Sequence, residues 1–197
     1  YIKRLGKTSR ELDTWKVVDA FSKVIGPMGN PTPQKKHGTV VFASDLVCGH
    51  AENSAMCREL RKIEGNHVIS IQSFPNLKDI YPEKELAKDC ADEFILATED
   101  GSAGRKGHYL DIMKELLATR NIDYVFAGGD IPPLQDLSNL TKKYNVPVMT
   151  TVRQIMVDAT GMCGSCRVFV GGEQKLACID GPMFDGQQVD WKAAISR

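Results

Sequence analysis

Five short runs of apolar, mainly β-branched residues recur through the middle of the chain, and they limit the folds that it can adopt. These predicted strands cover residues 39–43, 67–73, 93–98, 122–127 and 146–151. Helical patterns separate them at about residues 52–64, 83–90, 107–119 and 132–144. Continuous apolar strands that alternate with helices are typical of a parallel sheet covered on both faces. We therefore predict a doubly wound α/β domain with a five-stranded parallel sheet, whose ligands bind at the carboxyl ends of the strands.

A glycine-punctuated segment near the C-terminus carries three thiols and a carboxylate. Their spacing is D-x4-C-x2-C-x11-C, formed by Asp158, Cys163, Cys166 and Cys178. Thiolates are soft donors that select iron–sulfur clusters, zinc or copper. Gly161 and Gly164 allow the sharp turns that direct backbone N–H groups towards an inorganic core. The segment therefore indicates a metal-binding loop, and the alternative is an ordinary hairpin with three reduced cysteines.

The fourth ligand decides which metal is expected. Zinc bound by three thiolates is usually completed by a histidine or a fourth cysteine. The histidines, at positions 37, 50, 67 and 108, are remote from the loop in sequence. Asp158 is the nearby donor, and iron–sulfur clusters accept ligands other than thiolate. The pattern favours an iron–sulfur cluster, and structural zinc stays open as the alternative.

The same segment carries a resemblance. Residues 158–186 follow the pattern D-x-T-G-M-C-G-x-C-R-V, then G-G-E, then C-x-D-G-P-x-F-D-G. This pattern resembles the C-terminal cluster module of iron–sulfur flavoprotein electron-transfer subunits in the ferredoxin–NADP reductase superfamily. The resemblance is to the small subunit of NADH-dependent ferredoxin:NADP oxidoreductase and the sulfide dehydrogenase beta subunit, and more distantly to the dihydroorotate dehydrogenase electron-transfer subunit. In the first of these families, one aspartate and three cysteines bind one [2Fe-2S] cluster, so the resemblance implies a cluster bound by Asp158, Cys163, Cys166 and Cys178. The dihydroorotate subunits use four cysteines instead, so this chain is more similar to the former.

Composition excludes several functional classes. The 197 residues are 42% hydrophobic, and 25 basic side chains balance 25 acidic ones, so nothing indicates binding to nucleic acid or to an anionic membrane surface. No apolar run approaches the roughly 20 residues of a membrane span, and no signal peptide is recognisable. Six cysteines, three of them in the metal loop, indicate a reducing compartment, and we expect the cytoplasm. The first residue is Tyr1, which suggests a trimmed or partial polypeptide.

The first 37 residues differ from the rest in composition. Proline and lysine residues at 31–36 indicate a linker, which places predicted domain boundaries at 1–37, 38–152 and 153–197. By resemblance, the first unit is the last part of a flavin-binding β-barrel. The resemblance further implies that the backbone and hydroxyl groups of Gly6, Lys7, Thr8 and Ser9 contact the pyrophosphate of FAD.

The expected nucleotide site departs from the family pattern. The family has a glycine-rich turn after its first strand, whereas residues 43–51 here contain one glycine together with Asp45, Leu46 and Cys48. At this turn a carboxylate repels a pyrophosphate, and the added Cβ atoms hinder its close approach to the backbone. The loop after the third strand keeps the pattern. The resemblance implies that it contributes to NAD(P)H binding through Asp100, Gly101, Ser102 and Gly104.

Two hypotheses of function follow. The first is an electron-transfer oxidoreductase subunit that passes electrons between NAD(P)H, FAD and a [2Fe-2S] cluster to a partner flavoprotein or ferredoxin, in a heterodimer or larger assembly. The second is a non-catalytic iron–sulfur relay, or a zinc-binding structural subunit, that has lost its nucleotide site. For the contact with a partner we predict an apolar surface formed by Met162, Met183, Phe184 and Trp191. The alternative is that these residues only pack the module onto the α/β domain, and for Phe184 the two interpretations have equal weight.

Overall fold

The computed structural model describes residues 7–12, 14–16, 26–45, 47–80, 90–152 and 154–196, without the side chains of residues 8, 9 and 47–53. The predicted helix at 83–90 lies outside these residues except for Cys90, which is in a turn. None of the described helices is both long and apolar enough to cross a membrane.

One large sheet organises the molecule. Its strands are β1 (Thr39–Ser44), β2 (His67–Phe74), β3 (Glu93–Thr98), β4 (Arg105–Lys106), β5 (Tyr124–Gly128), β6 (Val148–Thr151) and β9 (Met183–Asp185). They lie in the order β4-β3-β2-β1-β5-β6-β9, and every pairing is parallel except that of β6 with β9. A separate antiparallel hairpin consists of β7 (Arg167–Val170) and β8 (Glu173–Leu176).

The described helices are α1 (Lys7–Leu12), α2 (Val47–Arg61), α3 (Tyr109–Thr119), α4 (Ile131–Lys143) and α5 (Trp191–Ile195). The doubly wound parallel architecture is confirmed, and all five predicted strands form with small shifts of their ends. The predicted strand count of five is wrong, because β4 and β9 extend the sheet to seven strands. Both additions are short edge strands, of two and three residues, which apolar patterning cannot detect.

The sheet has an apolar core on each face. Successive side chains of a strand point to opposite faces, so each central strand contributes to both cores. On one face, Val41 and Ile69 belong to a core that includes Leu116 of α3 and Leu134 of α4. On the other face, Val40, Phe42 and Val68 pack in a second core with Cys57 and Leu60 of α2. Strands buried on both faces explain the continuous apolar runs of the sequence.

The sheet has a topological switch point beside β1. The chain passes from β1 to β2 on one side, and β5 pairs with β1 on the other, so Ser44 of β1 lies opposite Gly128 of β5. The loops that leave the carboxyl ends of these two strands diverge, and in open α/β sheets this divergence creates the crevice where ligands bind.

The linker is fastened to the sheet by the side chain of Asn66. Its Oδ1 accepts the N–H groups of His37 and Gly38 at 2.7 and 3.1 Å, and its Nδ2 donates to the carbonyls of Lys35 and Leu60. Among the described residues of the 1–37 unit, α1 is helical and no strand occurs. Residues 1–6, 13 and 17–25 of this unit lie outside the described residues, and the predicted β-barrel remnant stays a prediction.

Candidate functional site

The loop that follows Asp158 is folded around that carboxylate. Oδ1 of Asp158 accepts the N–H of Thr160 at 2.9 Å, and Oδ2 accepts the N–H of Cys163 at 2.8 Å. These N–H donors, first that of Thr160, lower the pKa of Asp158 and keep it ionised. Ala159 and Gly161 have positive φ angles of 58° and 85°, which let the chain turn tightly enough to form both bonds. The first two predicted ligands are therefore held in one loop.

The other two predicted ligands meet across the β7–β8 hairpin. The Sγ atoms of Cys166 and Cys178 lie 3.3 Å apart, and both side chains are buried. The N–H of Ala177 donates to the carbonyl of Cys166 at 3.0 Å and so aligns the ends of the hairpin. Burial, followed by the neighbouring Cys166 thiol, raises the pKa of Cys178. A positive centre beside this pair is therefore needed to stabilise two thiolates.

Cys163 is exposed and lies apart from this buried pair. Its Sγ is 2.9 Å from the hydroxyl of Ser165, which lowers the pKa of Cys163. In the part of the chain that the structure describes, no three His, Cys, Asp or Glu side chains are already grouped as metal ligands. The four predicted ligands thus lie as two pairs, Asp158 with Cys163 and Cys166 with Cys178.

The donor set fits a thiolate-selective metal centre. Two sulfur ligands at about 2.3 Å from one tetrahedral metal ion lie about 3.8 Å apart, so the Cys166–Cys178 pair needs to open only slightly. Space is limited beside the loop, because a Cβ on Gly161 would lie 2.8 Å from Cγ1 of Ile179. Glycine at 161 therefore lets the loop lie against the segment that follows Cys178.

Exposed apolar side chains precede the loop and occur within it. The exposed fractions are 66% for Ile155, 70% for Val157 and 87% for Met162, and Met156 is also exposed. We call these four residues the apolar rim. Of the surface predicted from the sequence, only Met162 belongs to it.

The predicted exposure of Met183, Phe184 and Trp191 is wrong, because all three are buried. Phe184 and Met183 belong to β9, and the indole N–H of Trp191 donates to the carbonyl of Gly186 at 2.8 Å. These side chains attach the C-terminal segment to the sheet and are not available to a partner.

At the switch point, the carboxylate of Asp45 is bound inside the protein. Its Oδ1 accepts the N–H of Asp130, which precedes α4, at 3.2 Å. Its Oδ2 lies 3.6 Å from Nε2 of His108, the residue that caps α3. The expected turn at 43–51 is shorter than predicted, because β1 continues to Ser44 and α2 begins at Val47. The residue Leu46 and the side chain of Cys48 lie outside the described part.

The loop after β3 uses its polar groups to fix its own shape. Oδ1 of Asp100 accepts the N–H and the hydroxyl of Ser102 at 2.9 and 2.6 Å. The same hydroxyl accepts the N–H of Leu77, from the loop after β2, at 2.7 Å. Gly101 and Gly104 have φ angles of 80° and 64°, which favour glycine. The four predicted nucleotide contacts therefore lie together at the carboxyl end of β3, with β2 between them and β1.

The predicted flavin contacts are described only in part. Lys7 is exposed at the start of α1, Thr8 and Ser9 follow it in that helix, and Gly6 lies outside the described residues. The sequence did not single out Ser165, His108 or Asp130 as site residues, because their roles depend on neighbours in space. His108 lies inside the helix predicted at about residues 107–119, whereas Asp130, just before the pattern at 132–144, is of a residue type that favours a helix N-cap.

Comparison with known proteins agrees with this geometry. Residues 153–190 match the iron-sulfur cluster binding domain of dihydroorotate dehydrogenase B. Over 196 residues the chain is 36% identical to a "dihydroorotate dehydrogenase B (NAD(+)), electron transfer subunit homolog" of Thermotoga maritima, covering all of this chain and 68% of that protein. It is 32% identical to a probable subunit of the same name from Methanopyrus kandleri, over 85% of this chain and 61% of that protein.

A solved structure extends the similarity to the fold. A chain from the structure of NADH-dependent reduced ferredoxin-NADP oxidoreductase, described in connection with flavin-based electron bifurcation, matches with a TM-score of 0.88 and 33% identity. The match covers 100% of this chain and 70% of that chain. With this match and the Thermotoga maritima relative together, the chain belongs to the family of electron-transfer subunits of dihydroorotate dehydrogenase B and their homologues.

Proposed function

We propose that this chain is a redox subunit that holds one [2Fe-2S] cluster through Asp158, Cys163, Cys166 and Cys178 and transfers electrons to a partner flavoprotein or ferredoxin. The observation that best supports this is the buried Cys166–Cys178 pair, with sulfur atoms 3.3 Å apart inside the segment that matches the cluster-binding family. When bound, such a cluster supplies reversible one-electron transfer.

The residues of the chain hold the ligands and limit the access of water. The β7–β8 hairpin fixes Cys166 and Cys178 in a buried position, and the 158–163 loop keeps Asp158 beside Cys163. A cluster that is closed on one side and exposed on the other favours electron transfer through the exposed side. Cys163 and the apolar rim define that side in this protein.

FAD and NAD(P)H complete the proposed electron path. Relatives named as NAD(+)-dependent electron-transfer subunits, together with the 6–9 and 100–104 segments, support both cofactors as family expectations. The chain spans about two thirds of the length of these relatives, so flavin binding by this chain alone is part of the proposal and not of the finding. The thiolate ligands require a reducing environment, which suits the cytoplasm.

A partner subunit is proposed to dock on the apolar rim. Four exposed apolar side chains in one loop region are unusual on a protein surface, and they precede or lie within the loop at the proposed exit for electrons. Met is common at contact surfaces because its flexible thioether adapts to the opposing surface. The proposed assembly is a heterodimer or larger, with a larger flavoprotein as the second component.

A second candidate function is an iron–sulfur relay, or a zinc-binding structural subunit, without nucleotide chemistry. The position of Asp45 inside the switch-point crevice favours it over a complete NAD(P)H oxidoreductase. Metal analysis separates the cluster from zinc. We expect protein purified without oxygen to contain about two iron and two sulfide per chain. Stoichiometric zinc without sulfide would contradict the proposed function and support the structural alternative.

A further inference from the structure

We infer that Asp45 determines ligand specificity at the switch point, by placing a carboxylate of the protein where a dinucleotide pyrophosphate would bind. The inference rests on the proposed function and narrows it, because it removes NAD(P)H bound at the switch point from the cofactors that the family implies. It implies that electrons enter this chain from a flavin or a partner and not from NAD(P)H bound at the switch point.

The location of Asp45 is the first support. It follows Ser44, the last residue of β1, and Ser44 pairs with Gly128 at the end of β5. Dinucleotides bind open α/β sheets at this divergence of loops, with the phosphates directed at backbone N–H groups and helix N-termini. Asp45 is therefore at the place where a phosphate is expected, and its side chain is only 10% exposed.

The carboxylate of Asp45 lies against two groups that could also receive a phosphate. One oxygen accepts the backbone N–H of Asp130 at the beginning of the 13-residue helix α4. The other oxygen lies 3.6 Å from Nε2 of His108. Because Nδ1 of His108 accepts the N–H of Leu110, the ring proton belongs on Nε2 and faces Asp45. The carboxylate thus accepts the N–H that precedes α4 and lies close to, but beyond hydrogen-bond distance of, the imidazole that caps α3.

Gly129, the residue that follows β5, makes room for this carboxylate. A Cβ on Gly129 would overlap Oδ1 of Asp45. In a nucleotide-binding sheet, such glycines let a phosphate approach the backbone. Here the space beside Gly129 is already filled by Asp45, so a phosphate would have to displace it.

The surroundings are also unfavourable for an anion. The hydroxyl of Tyr109 is buried and has no hydrogen-bond partner among the described residues. Burial, together with the negative charges of Asp45, Asp136 and Asp130, raises the pKa of this phenol. Three carboxylates around a buried hydroxyl create a negative potential, which opposes a pyrophosphate in addition to the steric obstacle.

Calorimetric titration with NADH and with NADPH tests the inference on the full chain. The variants are Asp45→Gly, which removes charge and volume, and Asp45→Asn, which removes the charge and keeps the shape. Glu99→Gln is the matched control, because Glu99 is an exposed acid just after β3, at the same edge of the sheet. We expect at least about tenfold tighter binding for Asp45→Gly than for the wild type, an intermediate gain for Asp45→Asn and no change for Glu99→Gln.

Each remaining outcome overturns the inference. Tight binding of either nucleotide by the wild type shows that Asp45 does not close the crevice. Absence of binding by every variant shows that another feature closes it, provided that the variants melt within a few degrees of the wild type. Iron and sulfide are measured on the same samples. A chain that lacks the cluster refutes the proposed function, whereas tight nucleotide binding by the wild type refutes only the role of Asp45.

Discussion

Thr150 of β6 and Phe184 of β9 are antiparallel partners, so the strand that follows Cys178 completes the edge of the central sheet. Trp191 continues this attachment, since its indole N–H donates to the carbonyl of Gly186 and its ring is buried. The segment that carries the proposed cluster is therefore built onto the α/β sheet. The predicted domain boundary between residues 152 and 153 stays a prediction, and strand β9, which follows it in the chain, pairs with β6, which precedes it.

Two substitutions of Trp191 should separate the contribution of its hydrogen bond from that of its buried ring. We expect Trp191→Phe to lower the free energy of unfolding by about 1 kcal/mol, because one hydrogen bond is lost. Trp191→Ala should lower it by about 3–5 kcal/mol, because a buried aromatic side chain is removed. Urea unfolding measures both changes, with Ile195→Ala on the exposed side of α5 as the control. A Trp191→Ala protein as stable as the control variant would refute the proposed anchoring.

Asn66 should connect the stability of the linker to that of the sheet. Its amide forms four hydrogen bonds, with residues 35, 37, 38 and 60. We therefore expect Asn66→Ala to lower the free energy of unfolding by about 1–3 kcal/mol. Asn121→Ala is the matched control, because the side-chain amide of Asn121 is exposed and donates to Asp123. Hydrogen exchange at residues 37 and 38 should accelerate in the first variant only. Unchanged exchange there would show that the clamp contributes nothing.

The apolar rim should be required for binding of a partner and dispensable for metal binding. We expect Val157→Asp and Met162→Glu to reduce recovery of a flavoprotein at least about tenfold in affinity purification from the native source, because charges would be buried at the interface. Their iron content should not change. Tyr144→Asp is the control, since Tyr144 is an exposed aromatic residue at the end of α4. Equal recovery with all variants, or no flavoprotein with the wild type, would contradict this docking surface.

Asp158 should influence the reduction potential if it is a ligand. A carboxylate donates less electron density to iron than a thiolate does, so we expect Asp158→Cys to keep the cluster and to lower its potential. Asp158 also accepts the N–H groups of Thr160 and Cys163, and Asp158→Asn preserves an acceptor for this loop. Potentiometric titration distinguishes the two roles. An unchanged potential in Asp158→Cys would mean that Asp158 only shapes the loop.

The centre of the sheet could be predicted from the sequence because β1, β2 and β5 are buried on both faces and rich in apolar residues, although β2 also buries the polar Ser70, Gln72 and Ser73. The sequence could not predict β4, which consists of exposed Arg105 and Lys106, or β9, whose pairing with β6 joins distant segments. It also placed the start of α2 too late. The residues at its beginning include Gly49, which has low helix propensity, so the apolar pattern gave no early signal.

The candidate site likewise has features that the sequence reveals and features that depend on the fold. The spacing of the cysteines marks the loop, since four donors in one segment are visible without a fold. The contacts of Asp45 with His108 and Asp130 join three separate loops, and they exist only because the parallel strands end at one edge. The burial of Met183, Phe184 and Trp191 likewise depends on the sheet edge that β6 provides. Residue type indicated a contact surface there, but tertiary packing determines which side chains remain exposed.

The spectrum of dithionite-reduced protein tests the central claim most directly. Electron paramagnetic resonance and visible absorption are recorded on anaerobically purified wild type, on Cys178→Ser and on Cys90→Ser, a control whose buried thiol lies in the core beneath α2. We predict that the oxidised wild type is brown and that its reduction by dithionite gives the signal of one reduced [2Fe-2S] cluster per chain. Cys90→Ser should give the same signal, and Cys178→Ser should lose most of it. A colourless wild type that contains zinc, or an unchanged signal in Cys178→Ser, would contradict the account.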